Sequence, residues 1–273
     1  MTTPRQNTRL GLLWRRLTER HQPVDITAAP HELDHLVIKV ERVWSAYAAS
    51  DPYWSVLTDP IYRGTLSAET IAAFYATGQA DAELALRAMR RHGTELRGKT
   101  LLEFGCGLGR ISCWLAPHFE HVIGVDLSPG HLEIAARQLA ARGIGNFRPL
   151  RIARLGELEH LPPYDALYSR LVLQHNPPPV AHAILDRLLR RLAPGGFAVF
   201  QVPTYGQGYR YRVVEDLAQV EGASEMEMHV LPLYAIFRLA RRHGCYILEA
   251  METDDTGWSH WRSNTFVLRK STA

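Results

Sequence analysis

Leu101-Leu102-Glu103-Phe104-Gly105-Cys106-Gly107-Leu108-Gly109-Arg110 is the stretch that decides the fold. An apolar run that ends in three alternate glycines predicts a short buried strand, a tight turn and a helix opening after it. Glycine lets the backbone turn sharply and lets a ligand approach with no Cβ in the way. The start of the helix leaves N–H groups free. Asp126 lies 21 residues after Gly105, at the end of a second apolar run over residues 122–125. A carboxylate in that place can accept from both hydroxyls of a ribose. These positions predict a nucleoside-containing cofactor at the switch point of a doubly wound sheet.

The rest of the chain supports that reading. Further strands are predicted at 147–152, 166–169, 197–202, 246–250 and 265–268, and helices at 111–115, 131–142, 181–192 and 234–242. Strands alternating with helices at this spacing mean a Rossmann-like α/β fold with right-handed crossovers. The last two strands have no helix between them and should form an antiparallel pair at one edge. Before residue 100 only helices are predicted: 35–49, one capped by Ser67 that runs through Ile71, Phe74 and Tyr75, and 80–91 closed by Gly93. Leu10, Leu13, Trp14 and Leu17 also recur at helical spacing, with arginines on the other faces. The expected organisation is a helical extension or cap over 1–94 and a sheet domain over 95–273.

Composition narrows the classes. The chain has 273 residues, 46% hydrophobic and 22% charged, enough for a large core and against disorder. No apolar run is long enough for a membrane span, and no secretory signal is expected. Cys106, Cys113 and Cys245 make no disulfide framework or zinc pattern and fit the reducing cytoplasm. No metal is expected. The net charge of +3 is uneven. Residues 1–23 carry five arginines against Glu19, and the remainder has 26 basic and 27 acidic groups. The body therefore does not read as a polyanion binder, and no nucleic-acid partner is expected. The basic first helix reads as a surface helix docked on the body, with an anionic membrane, partner or dimer-forming contact as the alternatives.

The glycine spacing also discriminates between cofactors. The dinucleotide fingerprint is G-x-G-x-x-G. Counting from Gly105, its sixth position here is Arg110, which would crowd a pyrophosphate turn. G-x-G-x-G with Glu103 two residues before it resembles motif I of the class I S-adenosylmethionine-dependent methyltransferases. Four further segments resemble that family in the same order. They are Val122-Ile-Gly-Val-Asp126-Leu-Ser-Pro, Gly156-Glu157-Leu158, Tyr164-Asp-Ala-Leu-Tyr-Ser-Arg-Leu-Val-Leu-Gln-His175 and Leu192-Ala-Pro-Gly-Gly196. The resemblance implies a seven-stranded sheet with S-adenosylmethionine over the carboxyl ends of strands one, two and four. It implies that Gly105, Cys106, Gly107, Gly109 and Arg110 surround the methionine part and that Glu103 supports its ammonium. Asp126 would hold the ribose, with Leu127 along the adenine. Gly156, Glu157 and Leu158 would border the adenine, and Ser169 and Arg170 would close the methionine end.

On the acceptor side, His175 is the first candidate, as a base or as a group that only orients the acceptor. His229 is a second candidate base, and Gln174 is taken with the substrate residues. Asn176-Pro177-Pro178-Pro179 approaches the N-P-P-aromatic motif of amino-methylating nucleic-acid enzymes, but Pro179 stands where the stacking ring is needed. Tyr205, Tyr209 and Tyr211 form a candidate substrate loop. Trp54, Tyr62, Phe74 and Tyr75 supply aromatic bulk in the helical extension. The expected activity is methylation of a small-molecule hydroxyl, in glycan or secondary metabolism. The alternatives are an RNA or protein methyltransferase and a non-catalytic cofactor-binding protein.

Overall fold

The computed structural model describes residues 23–93, 95–219 and 226–272. The segment carrying Leu10, Leu13, Trp14 and Leu17 lies outside the described residues. Among the described residues four α-helices precede the first strand: α1 (Pro30–Ser50), α2 (Pro52–Val56), α3 (Ala68–Ala76) and α4 (Gly78–Arg91). Each start has a local cause. Proline opens α1 and α2, where a missing N–H costs nothing. The Ser67 hydroxyl caps α3 by accepting from the N–H of Thr70. Gly93, with φ +72°, follows the end of α4.

The sheet contains β1 (Thr100–Phe104), β2 (His121–Asp126), β3 (Phe147–Arg151), β4 (Tyr164–Ser169), β5 (Leu192–Gly206), β6 (Cys245–Thr253) and β7 (Trp261–Lys270). Their order is β3-β2-β1-β4-β5-β7-β6. The first five strands are parallel, and β7 runs antiparallel to both β5 and β6. The order reverses between β1 and β4, and that is the switch point. The connecting helices are α5 (Ser112–Leu115), α6 (Pro129–Ala141), α7 (Pro178–Arg191), the short α8 (Val213–Leu217) and α9 (Leu233–Arg242).

The central strands of the sheet are buried on both faces, as parallel strands require. Leu102, Leu167, Phe200 and Phe266 face one apolar cluster, which α7 fills with Val180, Leu185 and Leu188. Leu101, Val122, Phe197 and Val267, one position away, face the other, where α4 contributes Leu86 and Met89. Leu36 of α1 is fully buried in the first cluster. A third cluster of Tyr62, Phe74, Tyr75, Leu108 and Leu139 packs behind the glycine turn.

The elements predicted within the described residues are present, and helix α1 and strand β5 begin furthest ahead of the sequence reading. Helix α1 begins at Pro30 rather than 35. Strand β5 begins at Leu192, so Ala193-Pro194-Gly195-Gly196 is an irregular opening of the strand rather than a turn before it. Leu192 already pairs with Tyr164, and the register shifts before Ala166 meets Phe197. Gly195, with φ +74°, accommodates the irregularity.

Candidate active site

The carboxyl ends of β1, β2 and β4 open into one cavity of about 420 Å³. Its floor is the glycine turn. The N–H groups of Gly105 and Cys106 both donate to the Val125 carbonyl, which ties the turn to β2. Gly105 has φ +73°, and a Cβ there would sit 2.3 Å from Val172 Cγ2. Two elements that line the cavity therefore touch where only hydrogen fits. Gly109 has another task. Its absent Cβ makes room for Leu139 of α6 at 2.6 Å, so it serves packing and does not line the cavity.

Two carboxylates face the cavity from neighbouring strands. Asp126 accepts from the Gly107 N–H on Oδ2 and from the Ser128 N–H on Oδ1, each at 2.9 Å. These bonds aim the group and leave further lone pairs for a ribose. Glu103 is 3% exposed and accepts from the Ser112 hydroxyl at 2.5 Å. Burial pushes its carboxyl up to about 7, against the opposing pull of Ser112 and Arg110. An ammonium group beside it would favour the ionised carboxylate.

Arg110 and Arg170 stand at the same end. Arg110 donates to Asp81 Oδ2 of α4 at 2.7 Å, and Arg170 lies 3.0 Å from Asp81 Oδ1. Arg170 also donates to Asp255 Oδ1 in the β6–β7 loop at 2.7 Å. The Nε of Arg110 is buried without a hydrogen-bond partner. An unpartnered guanidinium N–H beside the glycine turn fits a carboxylate ligand. Leu127 and Leu158 complete an apolar wall beyond Asp126. The residues present thus fit S-adenosylmethionine. Glu103 would take its ammonium, the arginine end its carboxylate, Asp126 its ribose, and Leu127 with Leu158 its adenine.

The remaining wall is apolar. Helix α1 supplies Val37, Val40 and Trp44, and Met226 and Met228 close the side near His175. The His175 ring packs against Trp44 edge-on, with centroids 5.2 Å apart. Its Nδ1 lies 2.9 Å from the Glu227 carbonyl, and its Nε2 lies 3.2 Å from the Gln174 amide nitrogen. Burial pushes the imidazole down to about 4, so the ring is neutral at physiological pH. Glu41 of α1 takes Arg151 at 2.6 Å and Arg154 at 3.1 Å, which ties the roof to the segment after β3.

Of the residues expected at the site, Glu103, Gly105, Cys106, Gly107, Arg110, Asp126, Leu127, Leu158, Arg170, Gln174 and His175 line the cavity. Several others do not. Glu157 turns back to accept from the N–H groups of Ala153 and Arg154 at 2.7 and 3.0 Å, and Gly156 stays outside. Ser169 is buried in β4. Tyr62 and Tyr75 each meet Phe74 edge-on, and the Tyr75 hydroxyl donates to the Leu108 carbonyl, so they support the glycine turn from behind. Trp54 lies under Arg63 and beside Tyr47. Tyr205 points to solvent, Tyr211 donates to Asp216 at 2.5 Å, and the Tyr209 hydroxyl pairs with His229 Nδ1 at 3.0 Å. His229 is thereby held in a polar cluster with Glu227, away from the main cavity.

The sequence reading passed over His131, Trp44, Met226 and Met228. His131 sits in the first turn of α6, with Nδ1 3.8 Å from Asp126 and Nε2 3.0 Å from the Ser55 hydroxyl. His31-Glu32-Leu33-Asp34-His35 corrects the expectation that no histidine pair stands at the spacing of a helical metal site. It matches a helical metal motif, but both histidines are exposed at the start of α1, and Glu32 caps the Ala29 N–H. Among the described residues no group of three His, Cys, Asp or Glu side chains is placed to hold a metal ion. No helix among them is long and apolar enough to cross a membrane.

The sheet order and the cavity at its switch point are those of the class I S-adenosylmethionine-dependent methyltransferase fold. Comparison with known proteins gives the particulars. Residues 102–198 match a family model described as a methyltransferase domain. The tRNA U34 carboxymethyltransferases of Shewanella piezotolerans and Shewanella pealeana are each 35% identical over 115 residues. That match covers 40% of this chain and 33% of each relative, so the chain spans about a third of their length. Magnesium protoporphyrin IX methyltransferase from Synechocystis PCC 6803 with bound SAH superposes with a TM-score of 0.58 at 18% identity. That superposition covers 85% of this chain and all of the other. The N-methyltransferase NodS from Bradyrhizobium japonicum WM9 gives 0.55 at 14% identity, over 85% and 98% of the two chains. The [4+2]-cyclase SpnF gives 0.54 at 14%, over 93% and 100%. At these identities the solved structures speak to the fold.

Proposed function

We propose that the protein transfers the methyl group of S-adenosylmethionine to the hydroxyl of a small molecule. The observation that carries this reading is the roof of the cavity. Val37, Val40 and Trp44 descend from a packed helix, and Met226 and Met228 face the same space beside His175. Such walls suit an enclosed, largely apolar acceptor with one polar handle.

When bound, S-adenosylmethionine supplies an electrophilic methyl carbon on a sulfonium. The chain's own residues then align the acceptor and exclude water. The unprotonated Nε2 of His175 accepts a hydrogen bond from the acceptor hydroxyl, which takes the place of the Gln174 N–H, and turns an oxygen lone pair toward the reacting centre. With its pKa near 4, the imidazole orients the hydroxyl and does not ionise it beforehand. Trp44, Met226 and Met228 hold the body of the acceptor. The unpaired cysteines support a reducing compartment, the cytoplasm.

The test is transfer of labelled methyl by wild type and by His175→Asn, with S-adenosylhomocysteine binding measured alongside. The expected loss in rate is about ten- to a hundredfold with cofactor affinity unchanged. An unchanged rate would remove His175 from the mechanism. One observation favours a second reading, an RNA acceptor. The curated relatives matched over 115 residues are named for tRNA. Label recovered in RNA rather than in small molecules would decide for it.

A further inference from the structure

Two residues past β4, Leu171 has φ +59°, the one non-glycine residue in the left-handed region among those described. It lines the cavity. Such a conformation persists only where its surroundings impose it. Here Gln201 of β5, 1% exposed, imposes it by accepting from the Leu171 N–H on Oε1 at 2.9 Å. A backbone N–H can only donate, so the Gln201 amide has one orientation. Its nitrogen donates to Gln174 Oε1 at 3.1 Å and to the Ser263 hydroxyl of β7 at 2.5 Å.

The direction then propagates. With its oxygen turned to Gln201, Gln174 presents its nitrogen to His175 Nε2 at 3.2 Å and to the Met228 sulfur at 3.7 Å. A ring nitrogen that receives a donor carries no proton. The proton therefore sits on Nδ1, which donates to the Glu227 carbonyl at 2.9 Å. The chain of bonds starts on a backbone donor and ends on a backbone acceptor. Reversing any link would set two donors or two acceptors against each other.

We propose that Gln201 is a positioning residue: through Gln174 it holds His175 in the Nδ1–H tautomer, so that Nε2 stays unprotonated and its lone pair, which accepts from Gln174, can pass to an acceptor hydroxyl that displaces the amide. The value of that lone pair for orienting an acceptor rests on the function proposed above. The charged and titratable groups around the ring are Lys39 of α1, Glu227 and His229. Glu227 lies 3.4 Å from Lys39 and 3.3 Å from His229, so its charge is engaged by these two. Trp44 covers the remaining edge.

The experiment is nitrogen-15 NMR of the histidine rings in the full chain with S-adenosylhomocysteine, using His175→Asn to identify the signals. Wild type should show a protonated Nδ1 and a bare Nε2 between pH 6 and 8. In Gln201→Glu, the carboxylate still accepts from Leu171 but can no longer donate to Gln174. The Gln174 amide should turn over, face Nε2 with its oxygen and raise the proton affinity of the ring about tenfold or more. Adding Gln174→Leu to that variant should remove most of the gain. A protonated Nε2 in wild type would overturn the proposal, and so would an unchanged ring titration in Gln201→Glu with cofactor affinity intact. If Gln201→Glu does not fold, Gln174→Leu alone should shift the Nε2 signal to that of a free lone pair, and an unmoved signal would overturn the proposal. A bare Nε2 in wild type, combined with undiminished methylation by His175→Asn, would retire the function given to the ring and leave the relay standing.

Discussion

Glu103 links the strand that carries it to cofactor affinity through a single proton. Burial disfavours the charge and pushes its carboxyl up to about 7. The raised value means that folding holds this proton more tightly than the unfolded chain does. Stability from this group is present at low pH and is lost as pH rises through about 7. An ammonium ligand acts the other way, because it requires the carboxylate. Affinity for S-adenosylhomocysteine should therefore rise as pH increases from 6 to 7.5, with a proton released on binding at the lower end. Calorimetry over that range checks this. Glu103→Gln should bind about ten- to a hundredfold more weakly and lose the pH dependence, because a charge-assisted bond of about 1.5–3 kcal/mol is gone. A Glu103→Gln titration with the same slope as wild type would show that another group carries the linkage.

At the scale of elements, α3 supports the turn that binds and does not itself touch the cavity. The Phe74 ring is fully buried and meets Tyr53, Tyr62 and Tyr75 edge-on. Phe74→Ala should cost about 3–5 kcal/mol in denaturant unfolding. Affinity for S-adenosylhomocysteine, measured well below the transition, should change little. A weakened affinity in a stable variant would return Phe74 to the binding surface. The sequence shows why these rings were misplaced: aromatic content reports bulk, and the spacing of Tyr62, Phe74 and Tyr75 does not say which partner they meet. For the same reason the lining face of α1 was hidden. Val37, Val40 and Trp44 keep the helical period whether they face core or ligand. Met226 and Met228 follow no period. By contrast, β1, β2, β4 and the glycine turn were legible, because an apolar run ending in glycines admits few other structures. Leu192–Gly206 was legible only in its middle, since the pairing of Leu192 with Tyr164 is a non-local contact.

For the whole molecule, the helices before the sheet and the sheet itself share apolar clusters. Leu36 sits with Leu102 and Leu167, and Met89 with Leu101 and Val122. A chain cut to residues 95–273 would expose these surfaces and lose the roof over the cavity. It is expected to lose cooperative unfolding and S-adenosylhomocysteine binding, as calorimetry would show. Cooperative melting with full affinity would mean that residues 95–273 stand alone. The cofactor half of the site was written in the sequence as strand-end positions that the fold must bring together. The acceptor half was not, because its walls come from α1 and from residues 226–228, whose approach depends on tertiary packing.

The central claim is methyl transfer to an enclosed small molecule, and one measurement tests it most directly. Purified protein and methyl-labelled S-adenosylmethionine are incubated with a fractionated cell extract, with Asp126→Ala as the control that lacks the ribose carboxylate. Label should enter the small-molecule fraction with wild type and fall at least about tenfold with Asp126→Ala. Label confined to RNA or protein, or no transfer to any fraction, would contradict the account.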